Sequence, residues 1–183
     1  MSYLPIGVQT VLLVFVLAAV GRDLASRRIP NWLTVSGFCA GIVLHLILSG
    51  TSGVWFSLKG AGMALVIYFP LFFLRAVGAG DAKLMAAIGS LAGPFNWLGI
   101  FFLTAMIGGV LAVILTLARG ALRRTLQNVI FILKQLATFQ APFVERPELD
   151  AGHSGALTLP HALAIAGGTI GFLFAAWQWA PRA

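Results

Sequence analysis

The sequence predicts an all-α protein: a polytopic transmembrane helical bundle of about six spans, with an amphipathic interfacial helix between spans 5 and 6. Three observations lead there. Of 183 residues, 60% are hydrophobic and only 9% charged, with a mean hydropathy of +0.97, whereas a soluble domain carries about 25% charge. Apolar runs long enough to cross a bilayer recur along the chain. Lysines and arginines gather in alternate connections between those runs, the pattern that orients a membrane protein.

The first span is Leu4–Val20. It lacks a basic n-region and a small-residue cleavage site, so it reads as a retained helix. Trp32–Leu48 is the second and Val54–Leu74 the third, with Lys59 near its start placed to snorkel to the interface. Residues 82–118 are too long for one crossing, and Gly93-Pro94 supplies a breaker. They divide into a short fourth span, Ala82–Ala92, and a fifth, Trp97–Ala118. Within Thr125–Phe139, Leu126, Val129, Ile130, Leu133, Leu136 and Ala137 recur at helical spacing opposite Gln127, Asn128, Lys134 and Gln135. Pro142–Gly155 reads as an exposed loop holding Glu145, Glu148 and Asp150, and Leu157–Trp179 is the sixth span. The chain is expected to be a single integral-membrane domain, 1–183.

Charge fixes the orientation. Arg22, Arg27 and Arg28 lie between spans 1 and 2, Arg75 and Lys83 at the junction of spans 3 and 4, and Arg119, Arg123, Arg124, Lys134 and Arg146 between spans 5 and 6. The positive-inside rule puts these connections in the cytoplasm, and anionic lipid headgroups are their expected contacts. The net charge of +7 is topogenic here, so no nucleic-acid partner is expected. One cysteine, Cys39, excludes an internal disulfide and a Cys-x-x-Cys metal site; it reads as small helix packing. His45 and His161 read as packed or interfacial, His153 as exposed, and none has a second histidine at metal-ligand spacing. No metal or other cofactor is expected.

Asp23 and Asp81 are the acids that remain, and no other precedes Glu145. Asp23 ends the first apolar stretch and is followed by Ile29-Pro30-Asn31; Asp81 ends Gly78-Ala79-Gly80-Asp81, with Lys83 just beyond. Both follow an odd number of spans and so share the cytoplasmic face. Carboxylates beside membrane spans mark functional sites by default. A pair can hydrolyse a peptide: the ionised member deprotonates water while the neutral one donates to the scissile carbonyl. Gly78 and Gly80 would allow conformations closed to other residues and let a substrate backbone approach. Lys83 would tune the Asp81 charge or meet headgroups, while Pro30 starts span 2 and Asn31 bonds nearby backbone. The duller alternative makes Asp81 an N-cap and Asp23 a juxtamembrane charge paired with Arg27.

Together the two segments resemble the type IV prepilin peptidase family, whose members carry an aspartate followed by a basic stretch and Ile-Pro-Asn, then Gly-x-Gly-Asp-x-Lys. Leu159–Gly168 also looks like that family's Pro-containing last span. The resemblance implies a GxGD-type aspartic membrane peptidase with Asp23 and Asp81 catalytic. It implies cleavage of short basic leaders from pilin or pseudopilin precursors at the cytoplasmic face of the bacterial inner membrane, in company with pilus assembly machinery. Only Gly21–Asn31 joins the first two spans here, as in the short peptidases of tight-adherence (Flp) pili. The paired Cys-x-x-Cys motifs of bifunctional members are missing, which speaks against a second, N-methylating activity. Two readings compete. Signal-peptide-peptidase-type proteases share Gly-x-Gly-Asp, but their first aspartate follows a Tyr deep in a span, and Asp23 follows Arg22. A transporter or pilus-assembly subunit would use bundle acids to carry ions.

Overall fold

The computed structural model describes residues 4–74, 77–120, 122–137 and 161–178. It is a helical bundle: α1 (Ile6–Ser26), α2 (Asn31–Phe73), α3 (Ala79–Ala92), α4 (Pro94–Ala118), α5 (Leu122–Ala137) and α6 (His161–Gln178). The helices α1, α2, α4 and α6 are each long and apolar enough to cross a membrane.

The expected loop between spans 2 and 3 is absent. Helix α2 runs 43 residues, interrupted only at Gly50 (φ 61°, ψ −144°). A single glycine in the left-handed half of conformational space reverses the chain between two spans. The reversal brings Gly53 against the His45 backbone and the His45 ring edge-on to Phe56, centroids 5.0 Å apart. The Gly93–Asn96 connection likewise shrinks to Gly93 (φ 75°), with Pro94 opening α4, a position where proline's missing N–H costs nothing. Helix α1 continues past Val20, the expected end of the first span, to Ser26, since nothing before Arg27 breaks it. Arg27 ends it in the left-handed conformation (φ 49°, ψ 28°), with its N–H on the Asp23 carbonyl.

Contacts fix the directions. Phe15 of α1 packs on Gly37 of α2. Helix α3 lies parallel to the first half of α2, pairing Ser90 Oγ with the Phe38 carbonyl at 2.9 Å and His45 Nε2, as donor, with the Leu91 carbonyl at 2.9 Å. It runs antiparallel to the second half, where Gly89 abuts Gly60 and Ser57 Oγ meets Ser90 Oγ at 2.6 Å. Helix α4 turns back along α3, with Trp97 Nε1 donating to the Met85 carbonyl at 3.0 Å. Helix α6 then runs antiparallel to α4, Gly168 against Thr104 and Gly99 against Phe172.

Helix α3 is therefore the core of the bundle: Leu84, Met85, Ala87, Ile88, Leu91 and Ala92 are all fully buried. At 14 residues and about 1.5 Å per residue, it is too short to cross about 30 Å of hydrocarbon by itself; its neighbours shield it. Cys39 corrects an expectation. It is exposed, on the outer face of α2 with Val35 and Val43, while Leu33, Gly37, Gly41 and His45 face inward. Helix α5 confirms the amphipathic segment two to three residues earlier than expected, with Leu126, Val129 and Ile130 exposed. The expected loop Pro142–Gly155, with the late acids, His153, Leu159 and Pro160, lies outside the described residues, as does Arg75.

Candidate active site

The helix directions carry the end of α1 and the starts of α2, α3 and α6 to one end of the bundle. Asp23 sits in the last turn of α1, half-buried. Asp81 is the third residue of α3, half-buried, one position ahead of the apolar stretch beginning at Ala82. The two carboxylates are close enough for the Asp23 charge to act on Asp81.

The environment of Asp81 is uneven. Burial pushes its carboxyl above the ordinary range; the charge of Asp23 adds to the rise, while His161 and a hydrogen bond from the Gly78 backbone N–H oppose it, and the net shift is upward. The N-cap of α3 is Gly78 (φ −73°, ψ 151°), so Asp81 is not a cap; it lies in the first turn, where the helix end also favours negative charge. An acid that is still pushed toward its neutral form in that setting suits proton donation.

The supporting residues fall into place differently from their sequence reading. Neither Gly78 nor Gly80 adopts a positive φ, so conformational freedom is not what those positions need. A side chain at either position would also meet only ordinary contacts. A Cβ at Gly78 would stand 3.4 Å from Asp81 Oδ2, and one at Gly80 would stand 3.6 Å from the Ile29 Cβ. Lys83 donates to Asn31 Oδ1 at 2.9 Å. Pro30 is the N-cap of α2 rather than its first residue, its fixed φ fitting the extended cap conformation.

Two residues were missed. His161, read as packed or interfacial, opens α6 and acts on Asp81. Tyr68 had no sequence signal beyond being a polar-tipped aromatic in an apolar run, which a buried tyrosine needs a reason for. It is 6% exposed, lies within electrostatic reach of Asp81, and is held by the edges of Trp97 and Phe101, centroids 6.3 and 6.1 Å away. His45 is packed, as expected. Among the described residues, no group of three His, Cys, Asp or Glu could hold a metal ion.

The upward shift of Asp81 has a stability consequence with a definite sign. Below the unfolded carboxylate pKa, of about 4, both states hold the proton and burial costs nothing. As pH rises above that value, the unfolded carboxyl ionises freely while the folded one is held back by burial, so the folded state loses stability until pH passes the raised folded pKa. Asp81→Asn should therefore melt higher than the parent at pH 7.5, with the gap closing near pH 4.5. A change of 1 kcal/mol corresponds to about 2–4 °C at this chain length. Thermal unfolding in nanodiscs at both pH values measures it; a gap independent of pH, or of opposite sign, refutes the assignment of strain to Asp81.

Comparison with curated proteins gave no match, and comparison with solved structures gave none. Residues 10–113, more than half the chain and inclusive of both aspartates, match the family model for type IV leader peptidases, and this bundle, with its paired acids at one end, belongs to that family.

Proposed function

We infer that the chain is a prepilin leader peptidase of the short, tight-adherence (Flp) type, acting as a single membrane domain over residues 1–183. It cleaves the short basic leader from pilin or pseudopilin precursors at the cytoplasmic face of the bacterial inner membrane. The observation that carries this reading is the convergence of Asp23 and Asp81 from separate helices onto one end of the bundle, within the segment that matches the family.

The chemistry follows from the asymmetry of the pair. Two nearby carboxylates resist ionising together, which favours a state with one proton between them. Asp81, half-buried and pushed up, is its more favourable seat; Asp23 is the base. Asp23 takes a proton from water as the water oxygen bonds the scissile carbonyl carbon. Asp81 gives its proton to the carbonyl oxygen. Collapse of the tetrahedral species, with a proton passed to the leaving amine, releases the leader and the new N-terminus. No metal or cofactor takes part. The basic connections at Arg22, Arg27, Arg28 and Arg119 support the cytoplasmic placement and contact with anionic lipid. The product is the natural input of pilus assembly machinery.

Co-expression with an Flp-type precursor bearing a short basic leader tests this directly. N-terminal sequencing should find the mature chain beginning at the leader junction. Precursor that stays full length in membranes containing the protein removes the reading.

A further inference from the structure

The aspartates explain the catalytic chemistry but leave Ile29, Asn31, Gly80 and Lys83 without a task. The structure puts all four in one place. Lys83 Nζ donates to Asn31 Oδ1 at 2.9 Å, linking the start of α3 to the start of α2 across 52 residues of sequence. Directly beside this bond, Ile29 packs under Gly80, where a Cβ would just make van der Waals contact at 3.6 Å. Asp23 hangs on the same short connection, since α1 ends at Ser26 and α2 begins at Asn31. Arg27, between them, is the one described non-glycine residue with a positive φ. It closes α1 through local bonds, the Arg27 N–H on the Asp23 carbonyl and Ser26 Oγ on the Arg28 carbonyl at 3.1 Å, so the connection that carries Asp23 also carries Ile29 and Asn31 directly to α3.

We propose that Lys83 and Asn31 form a latch, seated on the Ile29–Gly80 contact, that sets the separation and orientation of Asp23 relative to Asp81; this rests on the peptidase reading of the two acids. Lys83 is a positioning residue, not a catalytic one. The charges that act on Asp81 are those of His161 and Asp23, and the Lys83 amine donates to Asn31. Both latch residues are exposed, and exposed polar pairs contribute little to global stability. Their value is geometric. The latch crosses from the α1–α2 connection to α3 at the level of the acids, and small displacements of catalytic groups are costly in rate.

Three properties separate a latch from its rivals. Lys83→Met and Asn31→Leu should each lower kcat about tenfold, the order of effect expected when a reacting group is displaced rather than removed, with KM moving less than about twofold. The double variant should be no worse than either single, since both break one interaction. Asn31→Asp keeps an acceptor for the Lys83 amine and should recover most of the loss. A readout independent of cleavage accompanies these. Hydrogen exchange in nanodiscs should accelerate in residues 27–33 and 78–84 together, in either single variant, and should do so equally in an Asp23→Asn/Asp81→Asn background. That readout survives even if the precursor is never cleaved, so failure of the latch and failure of the peptidase reading are distinguishable. Additive losses, a raised KM at unchanged kcat, failure of Asn31→Asp to rescue, or faster exchange confined to the substituted segment would each overturn the proposal.

Discussion

Asp23→Asn and Asp81→Asn should each reduce precursor cleavage by about a thousandfold or more, and the double variant should be no slower than either single. General acid–base groups each contribute about 10²–10⁴-fold, and residues that act as one unit lose their function together. One carboxylate cannot be proton acceptor and proton donor in the same step. The expected outcome is a full-length precursor in membranes where the variant is present at the parent's level. Because Asp81→Asn relieves a half-buried, upward-shifted acid, it should be at least as stable as the parent at neutral pH, so unfolding cannot account for its inactivity. Cleavage by either folded variant at a rate within tenfold of the parent would falsify the dyad.

The same pair shows what could be read from the sequence. Two isolated acids in an acid-poor apolar chain, both after an odd number of spans, already demanded a shared face, and the bundle provides one. The spans were legible because twenty-residue apolar runs report directly on a bilayer. The turns were not. Ser49–Gly53, between two apolar runs, reads as an uncharged loop, yet Gly50 alone makes the reversal, because a glycine at positive φ needs no further residues to change direction. The helical end of α1 was hidden for the opposite reason. Arg22 and Asp23 end the apolar run but do not break a helix, so α1 continues to Ser26 and closes only at Arg27.

Residues whose role depends on a distant partner were the least legible. Lys83 beside Asp81 in sequence suggested charge tuning; only the parallel packing of α2 and α3 reveals that its partner is Asn31. Tyr68 and His161 are anonymous in sequence because their shared neighbour, Asp81, lies on a third helix. Gly78 and Gly80 have no positive φ, so the conformational freedom expected of them is not used, and a Cβ at either would make only ordinary contact with Asp81 or Ile29.

The second large effect lies a helix length from the acids. Gly60 of α2 and Gly89 of α3 meet backbone to backbone: a Cβ at Gly89 would come within 2.7 Å of the Gly60 carbonyl carbon, and a Cβ at Gly60 within 2.8 Å of the Gly89 carbonyl carbon. Small residues permit this approach, which gives membrane helices their packing contacts where lipid offers no hydrophobic driving force. Backbone cannot swing aside as a side chain can. Gly60→Leu or Gly89→Leu must therefore separate the two helices, and with them the Ser57–Ser90 bond at 2.6 Å one layer away. Overpacking of a tight core costs about 1–3 kcal/mol and occasionally more, and the backbone contact places these variants at the upper end. At about 2–4 °C per kcal/mol, the melting temperature should fall by about 6–12 °C. Cleavage should fall with it, because α3 carries Asp81 at its other end and moves as a rigid element. Gly62→Leu is the internal control: it lies on the same helix two residues on, and a Cβ there meets nothing within 4 Å. Its melting temperature should stay within about 2 °C of the parent, the scale of an ordinary exposed substitution. Equal stability of the Gly60, Gly62 and Gly89 variants would mean that α2 and α3 do not touch at these glycines, and that the placement of Asp81 does not rest on that contact.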